Sequence, residues 1–579
     1  MRFYLPVFVL LFPLFLSAQD EGLPNYMTEK EKALMPFYAP PGAPGARSLI
    51  TDPPAFEART MAEFEEIQSL CVTYTSYKSI VAQIIQHAKL EVEVIVICAD
   101  SNEVKYDLLN VYNLDNLNNI SYIETDYNSV WMRDYGPNTI YANDVDSLYI
   151  ADWIYNRPRP KDDVVPEAIA AFKGLDIYAT LDAPFDLVHT GGNFTSDGLG
   201  TAFSSDLLLD ENPTKTEAEI DNIMNEFMGI SRYIKMETLP YDVIHHIDMH
   251  MRLLDEETIL VGLYPEGTAD GPQIEANIQY ILTNFNSSFG TPYRIVRIQM
   301  PPESNGSYPP FGDYRTYTNS VLVNKTILVP TYQQNFDDPN LQIYRDNMPG
   351  YNVVGINCNQ MIGALGALHC ITRAIGVNDP LWIVHQRLRD QVDVFSGFEV
   401  NANIKHRTGV AAATLYYTTD TLAGYSSTPM SLTDVTEDTW TGYIPNPGYD
   451  TDIFYYIEAE ANSGKMQVRP LPAPAGYYQF NLSFTTGLEE EVVVPTRLDD
   501  IFPNPASAIT CVPVFSSKVQ DGQVAVYDAL GRLVEVLFEG TLDAGESKFF
   551  IMAHNYASGA YVVQLKTNEG IISQPLIVQ

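Results

Sequence analysis

Near Asp390 the hydrophobic pattern of this chain changes period, and that change constrains the fold more than any other feature. From Phe64 to about Ile383, helical apolar spacing alternates with short strand-like runs. Residues 79–87 carry their apolar side chains at helical spacing, and residues 92–98 form a short buried strand leading into Ala99 and Asp100. Residues 122–125, 147–150, 258–262, 320–330 and 351–356 read as further strands between helices. This alternation predicts the α/β class. Beyond Asp390, strands such as 412–418 and 453–459 alternate between turn-rich segments, which predicts a small β-sandwich ending near Phe484. Leu488, Glu489, Glu490, Glu491 and Pro495 mark a charged linker, and a second all-β module fills roughly residues 498–579. At 579 residues the chain is too long for one compact domain. No internal repeat is evident.

The N-terminus predicts export. Arg2 precedes an apolar run from Phe3 to Leu16, and Ser17 and Ala18 follow: the order of a secretory signal peptide over residues 1–18. The run is shorter than the roughly 18–20 residues of a membrane span, and no later segment is long and apolar enough for one. Residues 19–50, with Pro40, Pro41, Gly42, Pro44 and Gly45, read as a leader or pro-segment. The formal charge of -39 repels nucleic acid and anionic membranes and attracts cations, arginine-bearing peptides among them, although most of it serves solubility. Five cysteines, Cys71, Cys98, Cys358, Cys370 and Cys511, form no dense disulfide framework, so an exported thiol is left to account for.

Four segments of the α/β part could carry chemistry. Trp131-Met132-Arg133-Asp134-Tyr135-Gly136-Pro137 presents Asp134 beside aromatics on a loop. In Ile244-His245-His246-Ile247-Asp248-Met249-His250, read as a strand, His246 and Asp248 share a face. His250 shares it too, so a His246/Asp248/His250 metal site competes with proton transfer by His246 beside a cation-gripping carboxylate. Thr318-Asn319-Ser320 precedes an apolar run, and Cys370 follows the small-residue stretch from Gly363 to Leu368. Cys, His and Asn could also serve papain-like proteolysis, but its local signature around the cysteine is absent. Two carboxylates in one pocket favour a guanidinium, whose planar donor fork accepts bidentate partners.

In this order, Trp131-x-Arg133-Asp134-x-Gly136-Pro137, Gly191-Gly192-Asn193, His246-Ile247-Asp248, Thr318-Asn319-Ser320 and His369-Cys370 resemble the agmatine deiminase and bacterial peptidylarginine deiminase family, over roughly residues 55–385. The resemblance implies a pentein fold, a five-bladed α/β propeller, for residues 51–385. It implies Cys370 as nucleophile, Asp134 and Asp248 as guanidinium ligands, His246 as general acid and then base, Asn319 as a positioning group, and Trp131 beside the substrate. It implies no metal and no cofactor. Tyr155-Asn156-Arg157-Pro158-Arg159-Pro160 resembles the stretch that captures a substrate carboxylate in the peptidyl enzymes, so Arg157 and Arg159 predict preference for a C-terminal arginine. The alternative is that they pair with Asp162 and Asp163. Val243 stands where an aromatic is expected, with Tyr241 nearby. Residues 386–485 resemble the immunoglobulin-like (Ig-like) domain of the same enzymes, and residues 486–497 a linker. Residues 498–579 resemble a type IX secretion sorting domain through Phe502-Pro503-Asn504-Pro505, Val524–Asp528 with Gly531-Arg532, and Ser558-Gly559-Ala560-Tyr561. The expectation is a monomeric, secreted or surface-attached peptidylarginine deiminase that meets arginine-containing peptides and the type IX machinery. Competing readings are an agmatine or free-arginine deiminase and a non-catalytic surface adhesin.

Overall fold

The computed structural model describes residues 22–38, 49–268, 270–485 and 496–579. The expected signal peptide, residues 39–48 of the leader and most of the linker lie outside the described residues. The chain forms two compact units, Met1–Phe484 and Thr485–Gln579.

In the first unit one pattern recurs in five sheets. An antiparallel pair of strands is followed by a helix and a strand parallel to the second of the pair. Val321–Val323 and Thr326–Thr331 are antiparallel, helix Gln334–Asn347 crosses over, and Asn352–Asn357 returns parallel. Met251–Leu253, Thr258–Leu263, helix Gly271–Asn284 and Arg294–Gln299 repeat it. So do the sheets containing Thr201–Ser205 and Leu148–Tyr155. The fifth sheet is assembled from both ends of the α/β stretch: Arg373–Gly376 lies antiparallel to Ile67–Thr73, which runs parallel to Glu93–Cys98. The repeat, invisible in the sequence, is one of geometry; each copy fills its layer with different side chains.

Local sequence explains the elements. Lys78–Ala88 is helical because Ile80, Val81, Ile84, Ile85 and Ala88 make one buried face against the sheet. Helix Glu217–Met228 starts at a Thr216/Glu219 capping box and stops at Gly229, whose positive φ of 67° ends the last turn. Most expected strands fall within a few residues of the observed ones. Residues 320–330 do not form one strand: Asn324, at φ 49°, turns the chain between two. Its amide accepts from the Ile67 N–H and donates to the Ile67 carbonyl, which pins this hairpin to the neighbouring sheet. Residues 244–250 are not a strand either. His245 takes a positive φ of 56° and Ile247–Met249 is a single 3-10 turn.

After the α/β stretch, Trp382–Val384 pairs with Phe398–Lys405, and two sheets enclose a core that includes Val400, Leu415, Tyr455 and Phe480. The second unit packs two sheets around Val512, Val526, Val563 and Leu576. No helix among the described residues is long and apolar enough to cross a membrane.

Candidate active site

Segments that lead into strands of the five sheets meet in one buried constellation. Cys370 sits in the 3-10 turn His369–Ile371, immediately before the strand Arg373–Gly376. Asn319, fully buried, accepts from the His369 N–H at 2.9 Å through Oδ1 and donates to Cys370 Sγ at 3.2 Å through Nδ2. One side chain thus holds both the backbone and the sulfur of the Cys370 segment. The Cys370 thiol points at Asp248 Oδ2, 3.6 Å away.

His246 Nδ1 lies 3.5 Å from Asp134 Oδ1, and Gly192 backs both. A Cβ at Gly192 would collide with His246 Nδ1 and Asp134 Oδ1, so only glycine permits this approach. Asn193 accepts from the Ser205 N–H, and the Ser205 hydroxyl, between Asn193 Oδ1 at 2.9 Å and the His245 carbonyl at 2.8 Å, shares its one proton with these two acceptors. This chain sets the backbone leading into His246. Gly366 leaves the space that the Trp131 ring and the Cys370 side chain occupy.

Buried carboxylates dominate the electrostatics of the site. Both oxygens of Asp134 and Oδ1 of Asp248 are buried with no hydrogen-bond partner among the described residues. Burial pushes the Asp134 carboxyl up to about 7, against the pull of Arg157. Burial, together with Asp248 and Asp134, drives the Cys370 thiol well above its usual range. Burial and the charge of Arg157 hold His246 well below, as a neutral ring.

Sequence reasoning missed a supporting frame. His369 places Nδ1 2.7 Å from Asp248 Oδ2 and Nε2 2.9 Å from the Glu63 carboxylate. Each ring nitrogen thus faces a carboxylate, which fixes the orientation of the ring. Burial opposes ionisation of Glu63, but Arg133, His369 and Arg252 hold its carboxyl well below the usual range. Asp248 thus has one oxygen occupied by His369 and one left for a ligand. The signal for Glu63 was hidden in an acidic run, Glu63, Glu65 and Glu66, that reads as a solvated surface.

His250 does not join His246. It lies among Met236, Ile259 and Ile278, and no described group of three His, Cys, Asp or Glu side chains is arranged to hold a metal ion. Val243 and Tyr241 are both exposed. Arg157 and Arg159 make no hydrogen bond to Asp162 or Asp163, the alternative partners. Asp162 accepts from Asn128 and Ser129, and Asp163 from the Tyr155 N–H. Arg157 donates to the Asn25 and Asn156 carbonyls, and Arg159 pairs with Glu31 at 2.8 Å.

Comparison with known proteins gives the family. Residues 58–375 match the family model of the Porphyromonas-type peptidyl-arginine deiminase, and residues 500–579 that of the secretion system C-terminal sorting domain. A Mycoplasma mycoides protein assigned as an agmatine deiminase is 24% identical over 286 residues, 44% of this chain and 77% of its own length. A Shewanella protein assigned likewise is 27% identical over 287 residues, 44% of this chain and 76% of its own length. The crystal structure of a Porphyromonas gingivalis protein assigned as an arginine deiminase superposes with a TM-score of 0.50 at 22% identity, covering 55% of this chain and 99% of that one, a likeness of fold. These are pentein-fold deiminases, hydrolases of guanidino C–N bonds, and this chain is an enzyme of that class. It belongs to the Porphyromonas-type peptidyl-arginine deiminase family and carries a type IX sorting domain that directs its export to the medium or the cell surface.

Proposed function

We propose that this enzyme replaces a guanidino nitrogen by oxygen through a covalent intermediate on Cys370, converting arginine to citrulline and releasing ammonia. The observation that carries the reading is the pair of buried carboxylates, Asp134 and Asp248, with unpartnered oxygens beside the Cys370 thiol. A guanidinium donates to both, and its charge offsets their burial. The same charge favours the thiolate, and His246 takes the thiol proton. Sγ bonds to the guanidinium carbon, His246 returns the proton to the departing nitrogen, and ammonia leaves a thiouronium. Water then adds as His246 takes its proton, the C–S bond breaks, and the thiol is restored with a ureido product. Asn319 steadies the sulfur throughout. Trp131 walls the pocket.

The family favours arginine at the end of a peptide, with Arg157 toward its carboxylate. A second reading, free arginine or agmatine, is favoured by a specific feature: Trp131, Asp134, Arg157, His246 and Cys370 are all buried. For the architecture we propose that the five sheets stand as blades around the site, with residues 386–485 as the Ig-like sandwich. The adhesin reading leaves the buried, charge-unbalanced constellation without a purpose.

The test is product formation from a C-terminal-arginine peptide, free arginine and agmatine, with Cys370→Ala as control. The substitution should abolish product with every substrate while the unfolding midpoint stays within a few degrees. Residual turnover in that variant rejects the assigned nucleophile.

A further inference from the structure

Residues 22–31 cross the site rather than the surface beside it. The Trp131 indole donates to the Leu23 carbonyl at 2.7 Å, and the Asn25 N–H donates to the Ala364 carbonyl at 3.0 Å, on the loop that leads to Cys370. The Asn25 carbonyl accepts from Arg157 Nε at 3.2 Å. The segment therefore spans from the nucleophile's loop to the cation expected to meet a substrate carboxylate. Resting on the deiminase reading above, we propose that residues 22–31 are a specificity element: they roof the pocket, latched by Glu31 on Arg159, and restrict the enzyme to small, free guanidino compounds with a charged head group.

Two independent observations support the roof. The first is what lies beneath it. Asn25 is fully buried, and both side-chain amide atoms lack a partner among the described residues. Tyr155 Oη, Asn156 Oδ1, Arg159 Nη1 and Glu211 Oε2 are unpartnered and buried as well. Arg157 lies close enough to Asp134, Tyr155 and Glu211 to shift their titration, so these groups surround one region. A polar ligand with a guanidinium at Asp134 and Asp248 would bring its other end to Arg157, Glu211 and Asn25. Arg157 suits a carboxylate and Glu211 an ammonium, the two halves of an amino-acid head. A polypeptide attached there would have to pass through the roof.

The second is how the roof is held. Arg159 receives the Glu31 carboxylate at 2.8 Å and the Pro24 carbonyl at 2.7 Å. Thr28 fixes the Glu31 side chain through a capping box at the start of helix Glu29–Leu34. Apolar anchoring is slight: Tyr26, Leu34 and Phe37 are 36%, 50% and 87% exposed. The segment is fastened by charge, so one reversed charge should release it.

The experiment compares the full chain, Glu31→Arg, and a chain lacking residues 19–37. The kcat/KM for free arginine and for agmatine is set against that for a C-terminal-arginine peptide. The full chain should prefer a free compound at least tenfold, and both variants should raise the peptide-to-free ratio at least tenfold. A ratio unchanged within twofold in both variants, or a full chain equally fast on the peptide, overturns the proposal. If no chain makes product, the deiminase reading falls separately, and the roof is judged by alkylation of Cys370. There 2-chloroacetamidine should react alike in all three chains, and the same warhead carried on a peptide only in the variants. Equal reaction of the peptide reagent in the full chain again overturns the roof.

Discussion

At the level of single residues, the site works by leaving charge unsatisfied. Asp134 is a buried carboxyl pushed up to about 7 that can receive a guanidinium only when ionised. Below that pH the resting enzyme carries a neutral Asp134 and loses an acceptor. The kcat/KM should therefore fall as pH drops below about 7, approaching tenfold per unit, with the loss carried by KM; a profile flat from pH 5 to 8 would exclude this assignment. Cys370, His246, Asp248, Asp134 and Asn319, which the fold brings together, could be nominated from the sequence because they stand in short ordered motifs. Glu31, Asn25 and Glu63 were not. Each is an ordinary polar residue whose importance comes from what folds against it, and nothing near Glu31 in sequence announces Arg159. Arg157 and Arg159 were found by their spacing, but their partners, supplied by a distant segment, were not.

At the level of elements, legibility followed burial pattern. Helix Lys78–Ala88 and strand Glu93–Cys98 were readable because continuous core contact writes its period into the sequence. Residues 320–330 misled because both strands of the hairpin Val321–Val323 and Thr326–Thr331 are buried, and the polar break between their apolar runs is only Asn324, Lys325 and Thr326. Residues 244–250 misled for another reason: a tertiary bond from Ser205 to the His245 carbonyl holds the irregular backbone. Asn324 should be worth more than an exposed turn residue. Asn324→Ala removes two bonds to Ile67 and places alanine at positive φ, at a cost of about 2–3 kcal/mol in denaturant unfolding. A loss under about 0.5 kcal/mol would mean the hairpin needs no such pin.

At the level of the molecule, catalysis and delivery occupy separate compact units. A chain ending at Phe484 should keep its kcat/KM within twofold and remain inside the cell envelope; a collapse of activity would mean the sorting unit is needed to fold the enzyme. The change of period near Asp390 made the division into α/β and all-β parts legible, whereas the recurrence of one sheet pattern was not, since it lives in hydrogen-bond direction rather than side-chain identity. One of those sheets imposes an order in time. The strand that follows Cys370, Arg373–Gly376, pairs with Ile67–Thr73 at the start of the same stretch. No shorter chain emerging from the ribosome can make that pairing, so the sulfur is put in place only when the end of the stretch returns to its beginning. The Cys370 site is thus assembled only when the architecture is complete, and a stalled or clipped chain lacks it.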